Sequence, residues 1–170
     1  MTWLAVTVVG HDRPGIVAEV TAAIADLGGN LEDSSMSLLR GHFAMTLIAD
    51  VPTDAAVLDQ RLDHLRQGRL AVHVLTVPRQ DPAVAGVGAV LSVHGADRPG
   101  IVSAATAAVA RGGGNITDLA TRLGPHMYVM TADVTFPPGT DISAAAAELA
   151  QAVAPLGVRA TLRAVDEDVL

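Results

Sequence analysis

Asp12-Arg13-Pro14-Gly15-Ile16-Val17 recurs as Asp97-Arg98-Pro99-Gly100-Ile101-Val102, and 97 minus 12 is 85, half of the 170-residue chain. The same offset carries Gly28-Gly29-Asn30 onto Gly113-Gly114-Asn115, Asp33 onto Asp118, and Met45-Thr46 onto Met130-Thr131. A hexapeptide match at one constant offset marks an internal duplication, two copies of one structural unit. Between the copies Pro78, Pro82, Gly86 and Gly88 punctuate a short stretch that reads as a linker. The expected organisation is a first domain over 1–78, a linker over 79–86 and a second domain over 87–170.

Outward from the first hexapeptide, the apolar pattern switches between the strand period and the helix period. Leu4, Val6 and Val8 alternate with Ala5, Thr7 and Val9 up to Gly10, which predicts a strand. Pro14 sits at a favoured first helical position, and Ile16, Val17, Val20, Ala23, Ile24 and Leu27 follow at helical spacing until Gly28-Gly29. Residues 31–40 and 43–51 read as two strands of a hairpin turning near Gly41-His42. A second helix is expected over 54–67, with Asp54 near its start and Gly68 past its end, before a last strand at Leu70, Val72 and Val74. The second copy repeats this order, with strands at 88–95, 115–123, 126–135 and 158–165 and helices at 99–111 and 141–154. The predicted fold class is α+β: two ferredoxin-like βαββαβ units in tandem, each with both helices on one face of a four-stranded antiparallel sheet.

Composition removes much chemistry. Half of the residues are hydrophobic, so a packed core is expected rather than disorder. All eleven basic residues are arginine, and without lysine there is no Schiff base and no P-loop lysine. Without cysteine there is no disulfide, thiolate nucleophile or cysteine-ligated metal. Eighteen acidic residues give a net charge of -7, which argues against direct nucleic-acid binding. RNA recognition on such a sheet needs several stacking aromatics, and Trp3, Phe43 and Tyr128 supply at most one per strand. The segment Met1 to Val9 lacks a basic leader, and the longest apolar runs, 83–93 and 144–154, fall short of the roughly 18 residues of a membrane helix. A soluble, cytoplasmic protein without a membrane partner is expected.

The six histidines show no ligand spacing, and no serine sits in a Gly-x-Ser-x-Gly elbow. The offset maps His11 onto Ala96 and His94 onto Val9, while His42 and His126 fall at the predicted hairpin turns. No catalytic residue, metal or cofactor is expected, and the chain reads as a non-enzyme. The repeated loop is the informative element, because helix N-termini attract carboxylates and Gly15 leaves the loop amides open. Two readings stand side by side: a cradle for a small anion, or a loop in which Asp12 caps the helix and Gly15 only allows close helix-strand packing.

A strand, Asp-Arg-Pro-Gly-Ile-Val, a helix and Gly-Gly-Asn-Leu/Ile resemble the ACT domain, and the resemblance covers both halves. Residues 30–45, Asn-Leu-Glu-Asp-Ser-Ser-Met-Ser-Leu-Leu-Arg-Gly-His-Phe-Ala-Met, are similar to the tandem ACT branch of the glycine cleavage system transcriptional repressors. The second copy departs from that run at Thr117, Leu119 to Thr121 and Gly124-Pro125. The resemblance implies an amino-acid effector held near the loop after the first strand, where one ACT sheet edge meets another. Residue by residue it places Asp12, Arg13, Gly15, Ile16, Asn30 and Leu31 at one site, and Asp97, Arg98, Gly100, Ile101, Asn115 and Ile116 at the other. An ionised Asp suits an α-ammonium, and loop N–H groups with the Asn amide suit an α-carboxylate. Small neighbouring side chains favour glycine, alanine or serine. Edge-to-edge pairing implies that Asp12 approaches Asn115 and Asp97 approaches Asn30, within the chain or in a homodimer. The implied function is a regulatory protein that signals to a protein partner in transcriptional or metabolic control. The alternative is a free-standing regulatory subunit or interaction module of an amino-acid metabolic enzyme.

Overall fold

The computed structural model describes residues 1–79, 86–125 and 127–165. The chain divides into two compact units, Met1–Pro82 and Ala83–Leu170. Of the expected linker, residues 80–85 lie outside the described residues, as does His126. In the first unit β1 (Thr2–His11), α1 (Ile16–Asp26), β2 (Asn30–Leu39), β3 (His42–Val51), α2 (Ala55–Arg61), α3 (Asp63–Gln67) and β4 (Leu70–Thr76) follow one another. The second unit runs β5 (Val87–Gly95), α4 (Ile101–Arg111), β6 (Asn115–Leu123), β7 (Tyr128–Phe136), α5 (Ile142–Val153) and β8 (Val158–Ala164). Gly88, read as linker punctuation, lies inside β5.

Both sheets are antiparallel, in the orders β2-β3-β1-β4 and β6-β7-β5-β8. These are two ferredoxin-like units. In the first, Leu4, Val6 and Val8 point to the same side as Phe43, Met45, Leu47, Leu70 and Val72 and meet Ile16, Val20 and Ile24 of α1 and Leu58, Leu62 and Leu65 of α2 and α3. The period-two burial of β1 therefore places every helix on one sheet face. In the second unit Leu91, Val93, Met130, Val134 and Phe136 meet Ile101, Ala105, Val109, Leu149 and Val153 in the same way. Phe43, Tyr128 and Phe136 belong to these cores, so they offer no exposed stacking platform. Tyr128 and Phe136 share β7, which corrects the expectation of at most one aromatic per strand.

The β2–β3 hairpin turns through Arg40 (φ 50) and Gly41 (φ 83), two left-handed residues in succession, the pattern of a tight two-residue hairpin loop. Asp54 caps α2 as expected, its Oδ1 accepting from Val57 N at 3.1 Å. The single helix expected over 54–67 is two, broken at Leu62. The Arg66 guanidinium donates to the Asp59 carbonyl (3.2 Å), the Val72 carbonyl (3.0 Å) and Asp63 Oδ1 (2.9 Å), and it also pairs with the Asp59 carboxylate. One arginine thus ties the broken helix layer to β4.

Candidate functional site at the repeated loop

The repeated loop leaves the end of β1 and enters α1. Neither Pro14 nor Pro99 opens a helix, contrary to expectation: α1 begins at Ile16 and α4 at Ile101. The helix-entry residues are Gly15 (φ 96) and Gly100 (φ 95), and neither helix has a side-chain cap. Asp12 is therefore not the cap. The left-handed φ explains the glycine directly, since an L side chain there costs about 1–2 kcal/mol. The packing explanation fails, because a Cβ on Gly100 would meet nothing within 4 Å and one on Gly15 would meet only Glu19 Oε1 and Arg13 Nη1.

In the first unit the loop, the first turn of α1 and the edge strand β2 enclose an open groove of about 480 Å³. Asp12, Arg13, Gly15 and Ile16 line it together, so four of the predicted residues share one wall. Val17, Met36, Leu38 and Phe43 complete the lining with apolar surface. The motif reading missed Met36 and Leu38, whose only signal is their alternation along an exposed strand. Ile16 is 1% exposed, so it belongs mainly to the core. Asn30 and Leu31 border a neighbouring hollow of about 370 Å³ between α1 and β2, with Ala18 common to both spaces. In the second unit Asp97, Arg98 and Gly100 are exposed on the corresponding loop, Ile101 is buried, Asn115 opens β6 and Ile116 packs at the core margin.

Arg13 is held by Glu19 through two hydrogen bonds, Nη1 to Oε1 at 2.6 Å and Nη2 to Oε2 at 2.8 Å. His64 Nε2 stands 3.4 Å from Glu19 Oε2, so the repeated loop, α1 and α3 meet at one carboxylate. The position equivalent to Glu19 in the second unit is Ala104, and no ion pair of Arg98 is found among the described residues. Glu19 is held below its ordinary value of 4.5, first by the Arg13 hydrogen bonds, with partial desolvation opposing and the charges of Arg13 and His64 adding. A depressed carboxyl contributes stability that is complete above the ordinary value and fades as pH falls through the depressed one. The stability difference between wild type and Glu19→Gln is accordingly expected to be largest near neutrality and to vanish on acidification. Urea midpoints measured down a pH series check this, and a difference that grows toward low pH contradicts it.

Among the described residues no three His, Cys, Asp or Glu side chains gather as a metal site, and no helix is long and apolar enough to cross a membrane. His11 and His42 stand opposite each other across β1 and β3, with ring centroids 5.2 Å apart.

Comparison with known proteins bears on this loop. The profile of the ACT domain family matches residues 2–73. A glycine cleavage system transcriptional repressor of Escherichia coli is 28% identical over 127 residues, covering 72% of this chain and 66% of that protein. A UPF0237 protein of Methanopyrus kandleri is 47% identical over 51 residues, covering 30% of this chain and 57% of that protein. The chain thus spans between half and two thirds of the length of these curated relatives. A crystal structure of an unknown protein from Galdieria sulphuraria superposes with a TM-score of 0.82 at 28% identity, covering 97% of this chain and 99% of that one.

Proposed function

We propose, from the premise that the chain is a tandem ACT-domain protein resembling the glycine cleavage system transcriptional repressors, that it is a non-enzymatic regulator which binds a small amino acid and passes the bound state to a protein partner. The observation that carries the reading is the groove at the first repeated loop, which sets the Asp12 carboxylate beside the first turn of α1. The first N–H groups of a helix have no partner within it, so they and the helix dipole suit an α-carboxylate. Asp12 accepts from an α-ammonium, while Arg13 is already committed to Glu19. Glycine, alanine and serine are the effectors favoured.

As edge strands with nearly every residue exposed, β2 and β6 each offer an unpaired backbone edge to a second copy of the chain in a homodimer. At a net charge of -7 the output runs through a regulatory protein or metabolic enzyme in the cytoplasm rather than through direct contact with nucleic acid or membrane.

A thermal-shift screen over the twenty amino acids tests this. A ligand at 100 times its Kd stabilises by about 2.7 kcal/mol, roughly 10 °C or more for a unit of this size. The shift is expected for one or a few small amino acids and is expected to disappear in Asp12→Ala, whose side chain makes no hydrogen bond among the described residues. No shift with any amino acid, or an undiminished shift in Asp12→Ala, overturns the assignment. Affinity capture then separates the outputs: a DNA-binding regulator or a biosynthetic enzyme.

A further inference from the structure

Two histidines far apart in the sequence meet where β1 ends and β3 begins, and the effector reading leaves them unused. Register sets His11 opposite His42, and on the next rung Asp12 N donates to the Gly41 carbonyl at 3.3 Å. Hydrogen-bonded and non-hydrogen-bonded rungs alternate in an antiparallel pair, so His11 and His42 form a non-hydrogen-bonded rung, where facing side chains come closest. Leu4, Val6 and Val8 of β1 and Phe43 of β3 face the helices, so alternation puts both imidazoles on the open side of the sheet. Both residues are exposed, and neither ring makes a hydrogen bond or ion pair among the described residues. Their nitrogens are therefore free to bind. The ring centroids lie 5.2 Å apart, with the planes tilted by 40°.

We infer that His11 and His42 clamp a divalent transition cation of the zinc, nickel or copper class, with water filling its remaining positions. Imidazole suits these ions, whereas magnesium and calcium prefer oxygen ligands. Two imidazoles on one ion, at about 2.0–2.1 Å and with an N–metal–N angle of about 90–110°, have ring centroids roughly 4.5–5.3 Å apart. The observed 5.2 Å falls inside that range, near its tetrahedral end. Two paired strands hold the rings, with the tight turn at Arg40-Gly41 just beyond, so once one imidazole binds the other follows as an intramolecular partner. With two protein ligands and open positions the site is exchangeable, unlike a closed structural one. The net charge of -7 draws cations to the surface. The second unit has Ala96 and Met127 at the equivalent positions, so the clamp belongs to the first unit alone and is independent of an effector at either loop.

Calorimetric titration of the full chain with zinc chloride at about pH 7.5 is expected to show one ion bound per chain, and magnesium chloride to show none. Zinc binding should fade below about pH 6, where the imidazoles take up protons. His11→Gln and His42→Gln are each expected to weaken zinc roughly tenfold or more, and the double variant little more than either, because a lone imidazole does not chelate. His73, paired with Thr7, lies on the same open sheet face, and His73→Gln is expected to leave the affinity unchanged. In the unaltered chain the imidazole proton resonances of His11 and His42 should shift together as zinc is added, a readout that needs no variant. No zinc binding, or unchanged affinity in either single variant, overturns the clamp. So does a loss that follows His73→Gln instead, or zinc shifts confined to other histidines.

Discussion

Phe136→Ala is expected to cost about 3–5 kcal/mol, a large share of the stability of a small domain. Phe136 is 2% exposed at the end of β7, and its ring edge occupies the space beside Gly112 and Gly114. Deleting the ring removes its transfer energy and leaves a void walled partly by glycine, which has no side chain to move in. The first unit places Val51 at the equivalent position, so Val51→Ala removes fewer atoms and should cost clearly less. Urea denaturation of the two variants measures the difference. Hydrogen exchange should assign the loss in Phe136→Ala to residues 86–165, whose core shares no residue with that of the first unit. A Phe136→Ala midpoint within about 0.5 kcal/mol of wild type would sink the claim that this ring fills its core.

The duplication made the element order legible, because one strand and helix pattern read twice at a fixed offset leaves little freedom. What stayed hidden was set by contacts distant in the chain. The break at Leu62 is invisible to periodicity, since Leu58, Leu62 and Leu65 are all fully buried and the apolar stripe runs straight through it. The fold marks the break through Arg66, which reaches the Val72 carbonyl in the next strand. At the loop, the preference of proline for a first helical turn misplaced the helix start, because the left-handed Gly15 overrides it. Glu19 escaped notice for a related reason: attention to repeated residues passes over a side chain that only one copy carries.

Gly29→Ala and Gly114→Ala are expected to destabilise by about 1–3 kcal/mol each, through crowding rather than backbone strain. A Cβ at Gly29 would lie 2.7 Å from Val51 Cγ1 and 3.0 Å from Ile24 Cγ2, with the Asp50 carbonyl oxygen at 3.1 Å. At Gly114 it would lie 2.7 Å from Phe136 Cε1 and 2.8 Å from Val109 Cγ1. These glycines let the chain pass between the end of the helix and the end of β3 or β7, where no carbon beyond the backbone fits. Gly41→Ala serves as the contrast, since a Cβ there meets nothing within 4 Å and only its φ of 83 is strained. In the second unit the Phe136 ring supplies two of the three closest contacts and Val109 Cγ1 the third. Removing that ring relieves its two contacts and leaves the one to Val109 Cγ1, so Gly114→Ala should cost clearly less in the Phe136→Ala background than in the wild type. The double-mutant cycle is therefore expected to show a coupling of at least 1 kcal/mol in the compensating direction, within the range for side chains in contact. If the two losses add, the Gly-Gly pair is retained for some cause other than the ring that packs over it.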